Sequence, residues 1–210
     1  MAGRSSGRPA RSTTFRITYM AELQTLIDEL VSGEDQRAEA AVPQLAEHGE
    51  QALPALQQLL SSEQVDRRWW AARALAAIPD PSVPPVLVVL LEDQNPGVRQ
   101  CAALGLRIQP DERSVPALVA ALEDQDPLTA SLACDALGTI GKAAVQPLLE
   151  FLEHGSPAAR IQAVRALATI ADERAIPALV QALDGDSAFI EYWATAGLER
   201  MGVGMLFFKP

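Results

Sequence analysis

Prolines at positions 54, 85, 116, 147 and 177 each open an Ala- and Leu-rich stretch, and their separations of 31, 31, 31 and 30 residues set a repeat period. A period in the range of roughly 20–50 residues means stacked supersecondary units rather than one globular core. The repeats agree in detail. Residues 82–96 (SVPPVLVVLLEDQNP) nearly superimpose on 114–127 (SVPALVAALEDQDP) when Pro85 is set against Pro116, and Asp111-Glu112-Arg113 recurs as Asp172-Glu173-Arg174. An array of this kind acts by presenting an extended surface to a partner.

Within each unit the apolar residues after the proline fall at helical spacing, as in Leu118 and Leu122 or Leu148, Leu149 and Leu152, which predicts a short amphipathic first helix. Proline suits its first turn, where the missing N–H has no intrahelical partner and the fixed φ is already helical. A second helix is announced by a capping residue before another proline at Asn95-Pro96, Asp126-Pro127 and Ser156-Pro157, with Asp186-Ser187 in the same place without proline. Its core stripe runs through small and branched residues such as Ala133, Ala136, Leu137 and Ile140, which let helices approach closely.

Six units result, over 20–49, 50–79, 80–110, 111–141, 142–171 and 172–202. The first matches least. Leu23 stands where the period places a proline, and Pro43 inside its second helix is expected to kink or shorten it. No single unit buries its apolar face alone, so stability is a sum of intrinsic and neighbour terms.

The proline opening the first helix, the acidic or Asn-Pro turn, an arginine (Arg68, Arg99, Arg160) early in the second helix and the Ala-x-x-Ala-Leu run resemble the short HEAT-like repeats of the phycobilisome-lyase HEAT-like family over residues 20–202. That resemblance implies an all-α, right-handed α-α superhelix of about six two-helix repeats. It is specific for fold and unspecific for function, because the family includes bilin lyases, phycobilisome-degradation factors and bacterial scaffolds. The arginines are expected to tie neighbouring turns through acidic or carbonyl acceptors.

Flanking segments stand outside this pattern. Residues 1–19 carry Arg4, Arg8, Arg11 and Arg16 and no acid, and the Gly, Ser and Pro among them predict a disordered basic leader. No apolar core of a secretory signal is present in it, and an upstream start codon before Met20 is an alternative reading. The tail 203–210 places Met205, Leu206, Phe207 and Phe208 after the last repeat, where folding back as a hydrophobic cap is the economical expectation. With a secretory signal lacking and the two cysteines unpaired in pattern, the expected location is cytoplasmic.

Charge narrows the partners. The chain has a formal net charge of −10, and without the four leader arginines 13 Lys and Arg face 27 Asp and Glu, or −14. Phosphate backbones need a basic groove, so nucleic acid is not an expected partner. The acids lie mostly in turns and first helical turns, where they complement the helix dipole. No run of apolar residues is long enough for a membrane span.

The catalytic inventory is thin. Cys101 and Cys134 have no Cys-x-x-Cys spacing and are expected as small buried thiols, and only His48 and His154 exist, neither in a His-Glu pair of the kind HEAT-like di-iron hydroxylases need. Neither a metal nor a cofactor is expected.

In HEAT-like arrays the second helices line the concave surface. A helical wheel then puts Trp69, Arg73, Gln100, Leu104, Arg107, Ser131, Asp135, Ile161, Arg165 and Tyr192 on that face, with Glu199 beyond them and Trp70 and Trp193 on its flank. Interleaved aromatics and arginines are what protein-interface hot spots use. The expected function is a non-catalytic protein–protein interaction scaffold that takes a helix or extended peptide on this face. The alternative is a bilin lyase-like or phycobilisome-associated auxiliary role, in which a flat tetrapyrrole uses the same features.

Overall fold

The computed structural model describes residues 10–185 and 187–203, the first eight of them as backbone alone. The described residues form twelve α-helices and five short 3-10 turns. They fall into two compact units, one ending at Asp80 and the other beginning at Pro81.

The first unit holds two helix pairs, α1 (Ala10–Leu30) with α2 (Asp35–His48) and α3 (Leu53–Leu59) with α4 (Val65–Ala77). Leu23, Ile27 and Leu30 of α1, Leu45 of α2, Leu56 of α3 and Leu75 of α4 are buried, each contributing about 1.5–3 kcal/mol by leaving water. An ion pair between Arg37 and Glu29 ties α2 back to α1, with Nη2 2.7 Å from Oε1. Two expectations change here. Helix α1 reaches back to Ala10, so the second half of the expected disordered leader is helical, because Gly3, Gly7 and Pro9 all precede it and no Gly or Pro follows until Gly33. Pro43 does not shorten α2, which runs on to His48.

The second unit holds four pairs. Their first helices are α5 (Val83–Leu90), α7 (Val115–Ala120), α9 (Val145–His154) and α11 (Ile176–Ala182), and their second helices are α6 (Pro96–Ile108), α8 (Pro127–Ile140), α10 (Pro157–Ile170) and α12 (Ala188–Arg200). All four expected capping residues do that work: the side chains of Asn95, Asp126, Ser156 and Ser187 accept from the backbone N–H of Gly97, Thr129, Ala159 and Ile190. Each such cap is worth about 1 kcal/mol. Of the expected C-terminal cap, all but Val203 lies outside the described residues, as do residues 1–9 and Asp186.

Buried leucines give the true repeat step. Leu87, Leu118, Leu148 and Leu179 are fully buried at matching places on the first helices. Their spacing puts the one short step between Leu118 and Leu148, not at the last proline interval. Pro147 is accordingly the third residue of α9, one place later than Pro116 in α7. The missing residue falls between α8 and α9, where Gly141 adopts φ 81° and closes the turn in a conformation that favours glycine.

Two motifs explain the longer repeat in the sequence. Asp111 and Asp172 each cap a 3-10 turn and pair with the arginine two residues on, and that arginine reaches a backbone carbonyl 32 residues earlier: Arg113 Nη2 donates to Pro81 at 3.4 Å and Arg174 Nη2 to Lys142 at 3.0 Å. Arg200 does the same to Ala168 at 3.0 Å. The early arginine of the second helix forms the other tie. Arg99 makes a two-pronged ion pair with Asp124 of the next repeat, at 2.7 and 2.8 Å, and donates to the carbonyls of Asp93 and Gln94 in its own turn.

Candidate functional site

The faces of the second helices carry the expected site residues, in both units. In the first, Trp69 is half-buried and meets Trp70 edge-on, with centroids 4.7 Å apart and planes at 87°. Arg73 on α4 donates to Glu39 on α2 at 2.7 Å. Both tryptophans and Glu39 border a cavity of about 730 Å³ at the starts of α2 and α4, together with Asp35, Asp66 and Arg67.

In the second unit the residues form a chain of contacts across α6, α8, α10 and α12. Arg165 sits at its centre. It donates to Ser131 at 2.9 Å and to Gln162 at 3.0 Å, pairs closely with Asp135, and places its guanidinium carbon 5.8 Å from the centre of the Trp193 ring. Arg107 approaches the other oxygen of Asp135 at 3.8 Å. Tyr192 then stands edge-on to Trp193, 5.1 Å between centroids. The structure therefore brings Arg107, Ser131, Asp135, Arg165 and Tyr192 together. Gln100 is engaged apart from them, donating to Asp126 at 2.8 Å, and Leu104 and Ile161 are half-buried apolar neighbours. That bond and those from Thr129 hold the Asp126 carboxyl below the usual carboxylate range.

Much of this face is thus occupied with itself, each polar side chain answering one about 30 residues away. Its exposed part includes two aromatics. Tyr192 is 64% exposed, and Phe189, one turn earlier on the same side of α12, is 69% exposed. Phe189 is not among the residues that the helical wheel places on this face, because it lies in the first turn of α12, ahead of the core stripe. Its spacing of three from Tyr192 is the signal that finds it.

A second concavity of about 1080 Å³ lies between the last two repeats, lined by Leu149 and Leu152 of α9, Arg160, Ile161 and Val164 of α10, and Ile190 of α12 among others. The thiols are not reactive groups of either region. Cys101 and Cys134 are both buried, Cys134 donates to the carbonyl of Gln162 at 3.2 Å, and burial pushes its thiol up to about 12. Among the described residues no group of His, Cys, Asp and Glu is arranged to hold a metal, and no helix is long and apolar enough to cross a membrane.

Comparison with known proteins follows this architecture. The family profile of HEAT repeats matches residues 23–107, 54–138 and 115–199. The chain is similar to a chain in the complex of CpcE and CpcF of phycocyanin lyase from Nostoc sp. PCC7120, with 25% identity, a TM-score of 0.57, and coverage of 70% of this chain and 98% of that one. An engineered protein is similar at 25% identity and a TM-score of 0.51, covering 87% and 97%. A designed armadillo repeat protein solved with the peptide (KR)4 shares the fold at 22% identity and a TM-score of 0.51, covering 86% and 99%. No curated protein matches the sequence. With its helix pairs, buried leucine period and three overlapping profile matches, this all-α solenoid chain belongs to the HEAT-repeat family.

Proposed function

We propose that this chain is a non-catalytic scaffold that binds a protein partner on the face of its second helices, anchored in the second unit by Phe189 and Tyr192. The observation that carries this reading is the exposed aromatic pair on α12 beside the Arg165–Trp193 contact. Exposed aromatics next to an oriented guanidinium combine large contact area with directional bonding at low entropic cost, the composition of interface hot spots. Arg165 is held by Asp135, Ser131 and Gln162 before any partner arrives, so little ordering remains to oppose binding. The partner suited to a face spread over successive helices is itself a helix or an extended peptide. The Nostoc relative stands in a complex of two named proteins, which supports a protein partner.

That same relative favours a second reading, an auxiliary role in tetrapyrrole attachment, in which the flat chromophore stacks on the α12 aromatics. One experiment separates them. The full chain and a Phe189→Ala/Tyr192→Ala variant of equal helicity serve as baits in native lysate, read by mass spectrometry and visible absorbance. A protein retained by the parent and lost by the variant is the expected result. A bound visible chromophore moves the assignment to the second reading, and equal retention by both baits removes Phe189 and Tyr192 as anchors.

A further inference from the structure

The ties between repeats are not equally complete, and among the described residues the last one shows no acid, although Asp184 precedes the position in sequence. Arg99 finds Asp124 25 residues on, with side chains only 15% and 9% exposed. Arg160 occupies the same place in α10, three residues after the helix-opening proline, but 25 residues on stands Gly185. Arg160 is exposed at the surface, and among the described residues no carboxylate is paired with it.

The apolar side is open at the same junction. Leu91 and Leu122, four residues after the core leucines of α5 and α7, are buried, whereas their counterparts Leu152 and Leu183 are only half-buried. Leu152 instead borders the groove of about 1080 Å³ with Leu149, Ile161, Val164 and Ile190, and Arg160 and Glu153 are the charged groups on its wall. Space does not explain Gly185. A Cβ built there meets nothing closer than the Ala182 carbonyl at 3.4 Å, ordinary contact, and its backbone is not in the left-handed region. An aspartate would fit where the repeat has a glycine.

We infer that the groove between the last two repeats is a docking site for a partner segment that presents a large apolar side chain beside a carboxylate, the carboxylate supplying to Arg160 the acid that Asp124 supplies to Arg99. The charge of Arg160 selects the acid and the leucine-lined groove takes the apolar residue. The net charge of −10 does not oppose this at contact, because charges beyond about 8 Å are screened at physiological salt. This site rests on its own observations and stands apart from the α12 aromatics.

The test uses the full chain and a fluorescein-labelled peptide of residues 115–126, which presents Leu118, Leu122 and the native Asp124 of the complete tie, with an Asp124→Asn twin. Fluorescence anisotropy gives affinity. The aspartate peptide binds about tenfold more tightly than the asparagine twin, the effect of a hydrogen bond to a charged group. Arg160→Gln abolishes that difference, and Gly185→Asp, which closes the tie internally, blocks the peptide while raising the melting temperature. Phe189→Ala/Tyr192→Ala leaves peptide binding intact, so failure here and failure of the α12 anchor are told apart. Failure of the peptide to bind, equal binding of the two peptides, or unchanged binding to a folded Gly185→Asp variant overturns the proposal.

Discussion

Replacing Gly197 by alanine tests whether α12 is seated on α10 as closely as the structure requires. In an isolated helix the change is favourable by about 1 kcal/mol, since alanine has less chain entropy to lose. Here the added Cβ falls 2.8 Å from both Cα and Cβ of Ala168 and 3.0 Å from a methyl of Leu179. Neither carbon of Ala168 can rotate away, so α12 must lift from α10, and overpacking of this kind costs about 1–3 kcal/mol beyond the propensity gain. For a chain of this size the melting temperature falls by about 2–4 °C per kcal/mol. Gly138→Ala is the control, because its Cβ meets only the Thr169 side chain, Cγ2 at 3.2 Å and Cβ at 3.6 Å, and Thr169 is exposed and can give by a few tenths of an ångström. Thermal melts by circular dichroism, with hydrogen exchange of the α12 peptide, read both effects. Gly197→Ala lowers the melt and deprotects α12 while Gly138→Ala melts at wild type or a few degrees above it, because there the propensity gain of about 1 kcal/mol is left largely unopposed. A Gly197→Ala protein that melts at or above wild type refutes the close approach.

Acid stability follows from the turn aspartates. The Arg174 side chain, then its backbone N–H, holds the Asp172 carboxyl down to about 2, and Asp111, Glu123 and Asp126 are held low by the same kinds of bond. A depressed folded value means the stabilisation is full above the unfolded carboxylate range near 4 and is lost as pH falls through the folded value. Melting temperature therefore drops between about pH 4 and 2, and Asp172→Asn flattens that drop; an unchanged pH profile in the variant contradicts it. Cys134, buried and pushed up to about 12, reacts with iodoacetamide at pH 8 at under about a tenth of the rate of the denatured chain. Equal native and denatured rates in a Cys101→Ala background contradict its burial.

The architecture was readable because proline and the caps act locally. Pro116 and Pro177 mark first turns wherever they stand, and Asn95, Asp126, Ser156 and Ser187 mark second helices through one backbone bond each. Pro147 misled by one residue because proline is tolerated anywhere in the first turn, whereas Leu148 has one place in the core. Helix α1 ran further back than the composition suggested, since the breakers stopped at Pro9. The candidate residues on the second helices could be named from a wheel, but not their pairing. That Arg165 would meet Ser131 and Asp135 depends on how two repeats stack, a relation that no single repeat contains. Gly185 carries no signal in the sequence for the same reason, since its meaning depends on the bond between Arg99 and Asp124.

The arginines that reach back 32 residues do not contact side chains there. Arg113, Arg174 and Arg200 donate to the backbone oxygens of Pro81, Lys142 and Ala168, three unlike residues. Every amino acid offers that oxygen. These three ties would therefore survive the duplication, deletion or exchange of a repeat without a matching change in its neighbour, as long as the spacing is kept, whereas the Arg99–Asp124 pair needs both of its side chains. Register held through a backbone oxygen leaves the side chain at the accepting position free to change without loosening that tie.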